Sequence, residues 1–287
     1  MIERVAILGT GLLGTSVGLA LRAAGFEGSI VGWNRSRGQA ETAVALGAID
    51  SIGEDAISTA KASEVVVLAV PIFATLDLME QLTLELGSNH LVTDVGSTKS
   101  RITQVGVEHF NQMGCAAFLP GHPMAGKERG GAELADANLF RGAVWLFTDV
   151  PGSVRSFRQI DLVKEWRQWV TVMGSKVVDI DAARHDELVA WVSHLPQFTA
   201  TALSAVLEDQ VGEAPELKDV GGRALREMTR LGASPFSMWR DIAHTNTDAI
   251  AAALQAIEQR LAHIRENLRT PELRDEFECA NRFRKES

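Results

Sequence analysis

Gly9, Gly11 and Gly14 stand between an apolar run containing β-branched Val5 and Ile7 and a stretch patterned as a helix over residues 12–24 that ends at Gly25. Glycines at this G-x-G-x-x-G spacing, placed where a strand gives way to a helix, leave few folds open. Gly9 permits a tight turn, Gly11 lets backbone approach a pyrophosphate, and Gly14 lets the helix pack closely on the strand. The first helical residues, Leu12 and Leu13, then offer unsatisfied N–H groups and the positive dipole end to phosphates. The pattern predicts an N-terminal dinucleotide-binding fold.

A second strand is expected over residues 29–33, and Asn34 follows it, 20 positions beyond Gly14. NAD-binding folds usually place a carboxylate there for the ribose hydroxyls. Here an uncharged amide is followed by Arg35, Ser36 and Arg37. A carboxylate would repel a 2′-phosphate, whereas an amide, a hydroxyl and guanidiniums can hydrogen-bond it. The expected cofactor is NADP, with NAD as the alternative.

Further apolar strand-like runs occur at residues 64–70, 90–95, 116–119, 143–147 and 175–180, with helical patterns at 74–86, 99–113 and 161–173. This alternation predicts βαβ units and one mostly parallel sheet. From residue 182 the pattern becomes nearly all helical. The expected fold class is α/β: a Rossmann-like doubly wound sheet over residues 1–181, followed by an all-helical domain over 182–287. In the second part Ile250, Leu254, Ile257, Leu261, Ile264 and Leu268 form an apolar seam at helical spacing. Long seams in a small helical domain often pack across a two-fold axis, so a homodimer through this domain is expected.

Net charge −9 argues against a nucleic-acid surface, and it means that an anionic substrate must be met by a local positive cluster. No apolar run approaches the roughly 18 residues of a membrane span. The chain enters its first strand directly after Glu3 and Arg4, with no signal-peptide pattern. Cys115 and Cys279 form neither a metal-ligand spacing nor a disulfide framework. A cytoplasmic enzyme without a metal fits these observations.

In a doubly wound sheet, ligands bind beyond the carboxyl ends of the strands. Three segments should lie there: Val70 and Pro71, the turn over residues 94–99, and residues 120–126, where His122 is held between Gly121 and Pro123. A histidine on a constrained loop is a good general-base candidate, because its pKa suits proton transfer near neutrality. His90, His109, His185, His244 and His263 read instead as residues on element surfaces or edges. In the helical part, Pro196 interrupts a helix expected over 186–207, with His194 and Gln197 beside the resulting kink. Arg223, Arg226, Arg230 and Arg240 crowd one stretch and form a candidate anion receptor.

The order of motifs resembles a known family. The glycine fingerprint is followed by Gly96-Ser97-Thr98-Lys99, by Gly-His-Pro-Met-Ala-Gly over residues 121–126, by Ser-His-Leu-Pro over 193–196, and by Thr229-Arg230 ahead of Met238-Trp239. Together these resemble the prephenate and arogenate dehydrogenases of tyrosine biosynthesis along essentially the whole chain. The resemblance implies oxidative decarboxylation of a cyclohexadienol dicarboxylate, with hydride passing to a nicotinamide. It implies His122 as acceptor of the hydroxyl proton, and Ser97 as the serine that hydrogen-bonds this histidine and the substrate hydroxyl. By the same resemblance Arg230 holds a substrate carboxylate, Glu128 pairs with that arginine and gates the pocket, and His194, Gln197 and Trp239 line the substrate site.

One departure bears on the substrate. Many prephenate-using relatives carry a second histidine where this chain has Gln197, which leaves arogenate, or both substrates, open. Two rival classes also remain. A β-hydroxyacid dehydrogenase or imine reductase would share the glycine motif but would not require His122. A non-catalytic NADP-binding redox sensor would bind cofactor whether or not His122 is present.

Overall fold

The computed structural model describes residues 1–286, and the chain divides into two units. One comprises Met1–Val189 with Ala233–Asn246; the other comprises Ala190–Gly232 and the chain from Thr247 onward.

In the first unit, strands β1 (Arg4–Leu8), β2 (Ser29–Trp33), β3 (Ser51–Ile52), β4 (Val65–Leu68), β5 (Leu91–Asp94) and β6 (Ala117–Leu119) form a six-stranded sheet. Every pairing is parallel, in the order β3-β2-β1-β4-β5-β6. Helices α1 (Leu12–Ala23), α2 (Arg37–Ala45), α3 (Ala56–Lys61), α4 (Ile72–Thr83), α5 (Ser100–Phe110), α6 (Phe157–Val172) and α7 (Ala182–Val189) complete its alternating part. Parallel strands covered on both faces are rich in apolar residues, and every residue of β4 and β5 is buried, with Thr93 and Asp94 closing β5. The strand order reverses between β1 and β4. A doubly wound sheet opens its ligand crevice at that point.

The expectation of one mostly parallel sheet requires a correction. Strands β7 (Gly121–Pro123), β8 (Val144–Phe147) and β9 (Lys176–Asp179) form a separate three-stranded sheet, with β7 antiparallel to β8. Pro120 cannot donate a ladder hydrogen bond. Gly121 then passes so close to β5 that a Cβ there would lie 2.8 Å from the Asp94 carbonyl oxygen. The chain leaves the first sheet at this crossing. Strand β8 shows the period of a half-covered strand, burying Trp145 and Phe147 against Phe140, Leu162 and Trp166.

The second unit begins with a π-helical turn, Ala190–His194, which leads into α8 (Leu195–Val211), α9 (Leu217–Val220) and α10 (Arg223–Thr229). Helix α11 (Phe236–Thr245) belongs to the first unit, and α12 (Thr247–Glu266) and α13 (Glu272–Glu286) to the second. The kink expected at Pro196 takes the form of that widened turn. A proline lacks an N–H and crowds the carbonyl four residues earlier, so the helix loosens ahead of it and restarts with Pro196 in the first turn of α8. Along α12, Ile250 is buried, Ile257 and Ile264 are half-buried, and Leu261 is exposed. Among the described residues no helix is long and apolar enough to cross a membrane.

Candidate active site

The glycine loop has the geometry its spacing predicts. Gly9 has φ +104°, a conformation open to glycine, and a Cβ there would strike the Ala69 carbonyl at 2.3 Å and Val70 at 2.7 Å. The end of β1 therefore abuts the Val70–Pro71 turn that follows β4. At Gly14 a Cβ would lie 1.9 Å from the Gly9 carbonyl, so α1 can sit this close only without a side chain. Gly11, which caps α1, has no heavy atom within 4 Å of where its Cβ would stand. That open space in front of the helix N-terminus, with Leu12 and Leu13 behind it, suits a pyrophosphate. Beyond β2, the Asn34 side-chain oxygen accepts from Ser36 N at 3.0 Å, which turns its amide N–H groups outward from that bond. Arg35 and Ser36 are exposed, while the Arg37 Nε donates to Glu41 at 3.0 Å.

His122 lies on β7, opposite Leu146 of β8, rather than on the expected loop. The change of setting makes its position firmer, because both flanking residues are in register with β8. Its Nδ1 lies 2.8 Å from Nε2 of His185, with the rings tilted by 59°. His185 is wholly buried on α7, which corrects its reading as a surface residue. Its Nδ1 in turn lies 2.8 Å from Oδ1 of the neighbouring Asp186. The Asp186 carboxylate also accepts from Lys99 N at 2.7 Å and Ser100 N at 2.8 Å, capping the start of α5 from another helix. Burial raises its pKa, but the hydrogen bonds from His185, Ser100 and Lys99 together outweigh burial and hold it below the usual carboxylate value.

A second buried carboxylate fixes the turn that carries Ser97. Asp94, at the end of β5, accepts from Gly96 N at 2.7 Å and from Gly121 N at 3.1 Å. It also pairs with the fully buried Lys99 ammonium. Thr98 meets Thr245 of α11 through their hydroxyls at 2.7 Å. The turn after β5 is therefore tied to β7, to α7 and to α11, and Ser97 is half-buried on it. Asp94, Lys99, His185 and Asp186 all escaped the sequence reading as site residues. For His185 a signal existed: it stands four residues before buried Val189, on the same helical face.

The remaining candidates divide between the two units. Glu128 and Trp239 belong to the first and are both half-buried. His194, Gln197 and Arg230 belong to the second. Gln197 is buried on α8, and its Nε2 donates to the Leu231 carbonyl at 2.7 Å and to Thr201 at 3.2 Å. It thereby anchors the 3₁₀ turn that starts at Arg230, which is itself exposed. The four arginines are divided between the units: Arg223, Arg226 and Arg230 belong to the second and Arg240 to the first. Arg223 pairs with Glu227 on an exposed face. Arg240 belongs to the first unit and pairs with Asp241, whose other oxygen accepts from Phe73 N at the start of α4.

Two family models match the chain in succession: the nucleotide-binding domain of prephenate dehydrogenase over residues 17–175, and its dimerization domain over residues 181–280. The chain belongs to the prephenate dehydrogenase family. A prephenate dehydrogenase of Lactococcus lactis subsp. cremoris is 31% identical over 263 residues, spanning 91% of this chain and 70% of that protein. Among solved structures, prephenate dehydrogenase from Aquifex aeolicus, in complex with hydroxyphenyl propionate and NAD+, is similar with TM-score 0.83 and 28% identity. The likeness covers 100% of this chain and 96% of that one. Synechocystis arogenate dehydrogenase is similar with TM-score 0.77 and 26% identity, covering 99% of each chain. Membership of this family agrees with the fold and with the nucleotide-binding geometry of the first unit.

Proposed function

We propose that the protein catalyses the oxidative decarboxylation of prephenate to 4-hydroxyphenylpyruvate, in tyrosine biosynthesis. The observation that carries this reading is the buried His122, held through Nδ1 by His185 beside the strand ends of a family member's nucleotide-binding unit. Bound at the Gly9–Gly14 loop, a nicotinamide dinucleotide supplies the hydride acceptor. His122 takes the proton of the ring hydroxyl through Nε2 as the carbinol C–H pair leaves as hydride. The bond from the ring to its carboxylate then breaks, its electron pair enters the ring and moves the carbonyl pair onto oxygen, CO2 departs, and the resulting phenolate oxygen takes back the proton from His122. Aromatisation makes the sequence effectively irreversible. Ser97, on the turn fixed by Asp94, hydrogen-bonds the same hydroxyl and orients it. Arg230 receives a substrate carboxylate as a planar two-point donor, and Glu128, His194, Gln197 and Trp239 contribute to substrate binding.

A second substrate has one specific observation in its favour. Gln197 replaces the second histidine of many prephenate-using relatives, and its amide hydrogens are directed to Leu231 and Thr201. A side chain that offers no cationic form is compatible with the amino-acid side chain of arogenate. We propose NADP as the preferred cofactor, on the absence of a carboxylate at Asn34 and the neighbouring Arg35. A homodimer through the helical unit is proposed on the seam of α12 and the turn after it, where Leu261 and Leu268 are 58% and 61% exposed in the single chain. Cytoplasmic location goes with this reading. Formation of reduced nicotinamide with prephenate and with arogenate, each with NADP and NAD, tests the assignment. Turnover of neither substrate would refute it.

A further inference from the structure

Which nitrogen of His122 carries its proton decides whether the side chain can act as a base at all. A neutral imidazole has one donor and one acceptor nitrogen, and a hydrogen bond at one nitrogen fixes the role of the other. The bonds around His122 form a directed chain that begins at Asp186. This carboxylate already accepts two backbone N–H groups, from Lys99 and Ser100, and it faces Nδ1 of His185 at 2.8 Å. An ionised carboxylate only accepts, so His185 must carry its proton on Nδ1. His185 is wholly buried on α7. Its Nε2 is then an acceptor, and it lies 2.8 Å from Nδ1 of His122. His122 must therefore donate through Nδ1, which places its acceptor lone pair on Nε2.

We propose that Asp186 and His185 are positioning residues that fix His122 in the Nδ1–H tautomer, making Nε2 the nitrogen that accepts the substrate's hydroxyl proton. The inference rests on the function proposed above and adds to it two residues that do not touch substrate. When the hydroxyl O–H bond breaks, the proton joins His122 Nε2 and the ring becomes an imidazolium. Its Nδ1–H bond to His185 then strengthens, and the new charge is drawn toward the Asp186 carboxylate without a second proton having to move. The three groups come from β7 and α7, two elements 63 residues apart where the two histidine rings meet. Asp186 also fixes the α5 start beside the Ser97 turn, so the same carboxylate holds both partners of the substrate hydroxyl in register.

The test uses the full chain with ¹⁵N-labelled histidine and long-range ¹H–¹⁵N correlation, which reads the protonated nitrogen of each ring. Signals are assigned with His122→Asn and His185→Asn variants. The expected wild-type pattern is Nδ1–H at both His122 and His185. His185→Leu removes the acceptor, and it should move His122 toward the Nε2–H form and lower kcat roughly 10- to 100-fold, with KM little changed. His185→Gln can again accept from Nδ1, so it should restore the His122 tautomer and part of kcat. A wild-type His122 protonated on Nε2 would overturn the proposal, as would Leu and Gln variants with equal kcat. If the Leu variant fails to fold, the wild-type tautomer and the Gln variant still decide. Failure of the functional reading would look different: no turnover of either cyclohexadienol by a wild type whose His122 shows the expected tautomer.

Discussion

Lys99 and Asp94 meet at 2.5 Å, Nζ to Oδ2, with neither side chain exposed to solvent. Burial pushes the Lys99 ammonium below its ordinary pKa, and the Asp94 charge beside it pulls in the other direction. Breaking such a pair leaves one charge buried without its partner, which costs about 3–5 kcal/mol, whereas removing both can be nearly neutral. Lys99→Met should therefore lose stability of that order in denaturant unfolding. The paired change Lys99→Met with Asp94→Asn should recover part of it. A Lys99→Met midpoint equal to wild type would show that the pair does not hold the Ser97 turn.

Asp186 should also leave a mark on acid stability. Its folded-state pKa lies below 3.8, because the hydrogen bonds from His185, Ser100 and Lys99 together exceed the effect of burial. The folded chain thus binds this proton less readily than the unfolded chain. The stabilisation is complete above the unfolded value and is lost as pH falls below it through the folded value. Thermal unfolding of the wild type should lose stability over that acid range. Asp186→Asn should be less stable near neutrality and should lose less of its stability over the same range. Parallel curves for the two proteins would contradict the account.

The glycine fingerprint was legible because each of its residues answers a local requirement of backbone space, and His122 because Gly121 and Pro123 mark its constraint in one short segment. His185 and Asp186 were not legible in the same way. They stand among Arg184 and Glu187, so composition suggests a solvated face, whereas the packing of α7 against α5 and β7 buries them. The separate sheet of β7 to β9 was missed for a related reason. Whether a strand joins the parallel sheet depends on the close pass of Gly121 over Asp94, an approach between residues 27 positions apart. Arg240 shares a sequence neighbourhood with Arg230, yet α11 belongs to the first unit, and sequence proximity could not separate them.

Arg230 and Gln197 should act on the same kinetic parameter. Arg230→Gln takes away a two-point hold on a carboxylate, which weakens ground state and transition state alike. KM should therefore rise, with a penalty of roughly 2–3 kcal/mol in kcat/KM. Gln197→Ala removes the bond to the Leu231 carbonyl next to Arg230, so it should raise KM less and leave kcat near wild type. Steady-state kinetics with prephenate check both. An unchanged KM in Arg230→Gln would remove Arg230 as the carboxylate receptor.

For the cofactor, the wild type should show higher kcat/KM with NADP than with NAD. Asn34→Asp combined with Arg35→Ala should reverse the order, since a carboxylate accepts from both ribose hydroxyls and repels a 2′-phosphate. Arg37 is already engaged by Glu41 and should contribute little, so Arg37→Ala should leave the ratio nearly unchanged. A wild type that favours NAD would contradict this assignment.

As the proposed base, His122 accepts the hydroxyl proton as hydride leaves. Turnover of prephenate by His122→Asn, measured as reduced cofactor formed at saturating substrate, tests it most directly. kcat should fall about 10²–10⁴-fold with KM close to wild type, the usual range for loss of a general base. A variant that keeps more than about half of the wild-type kcat, far outside that range, would show that His122 is not the base.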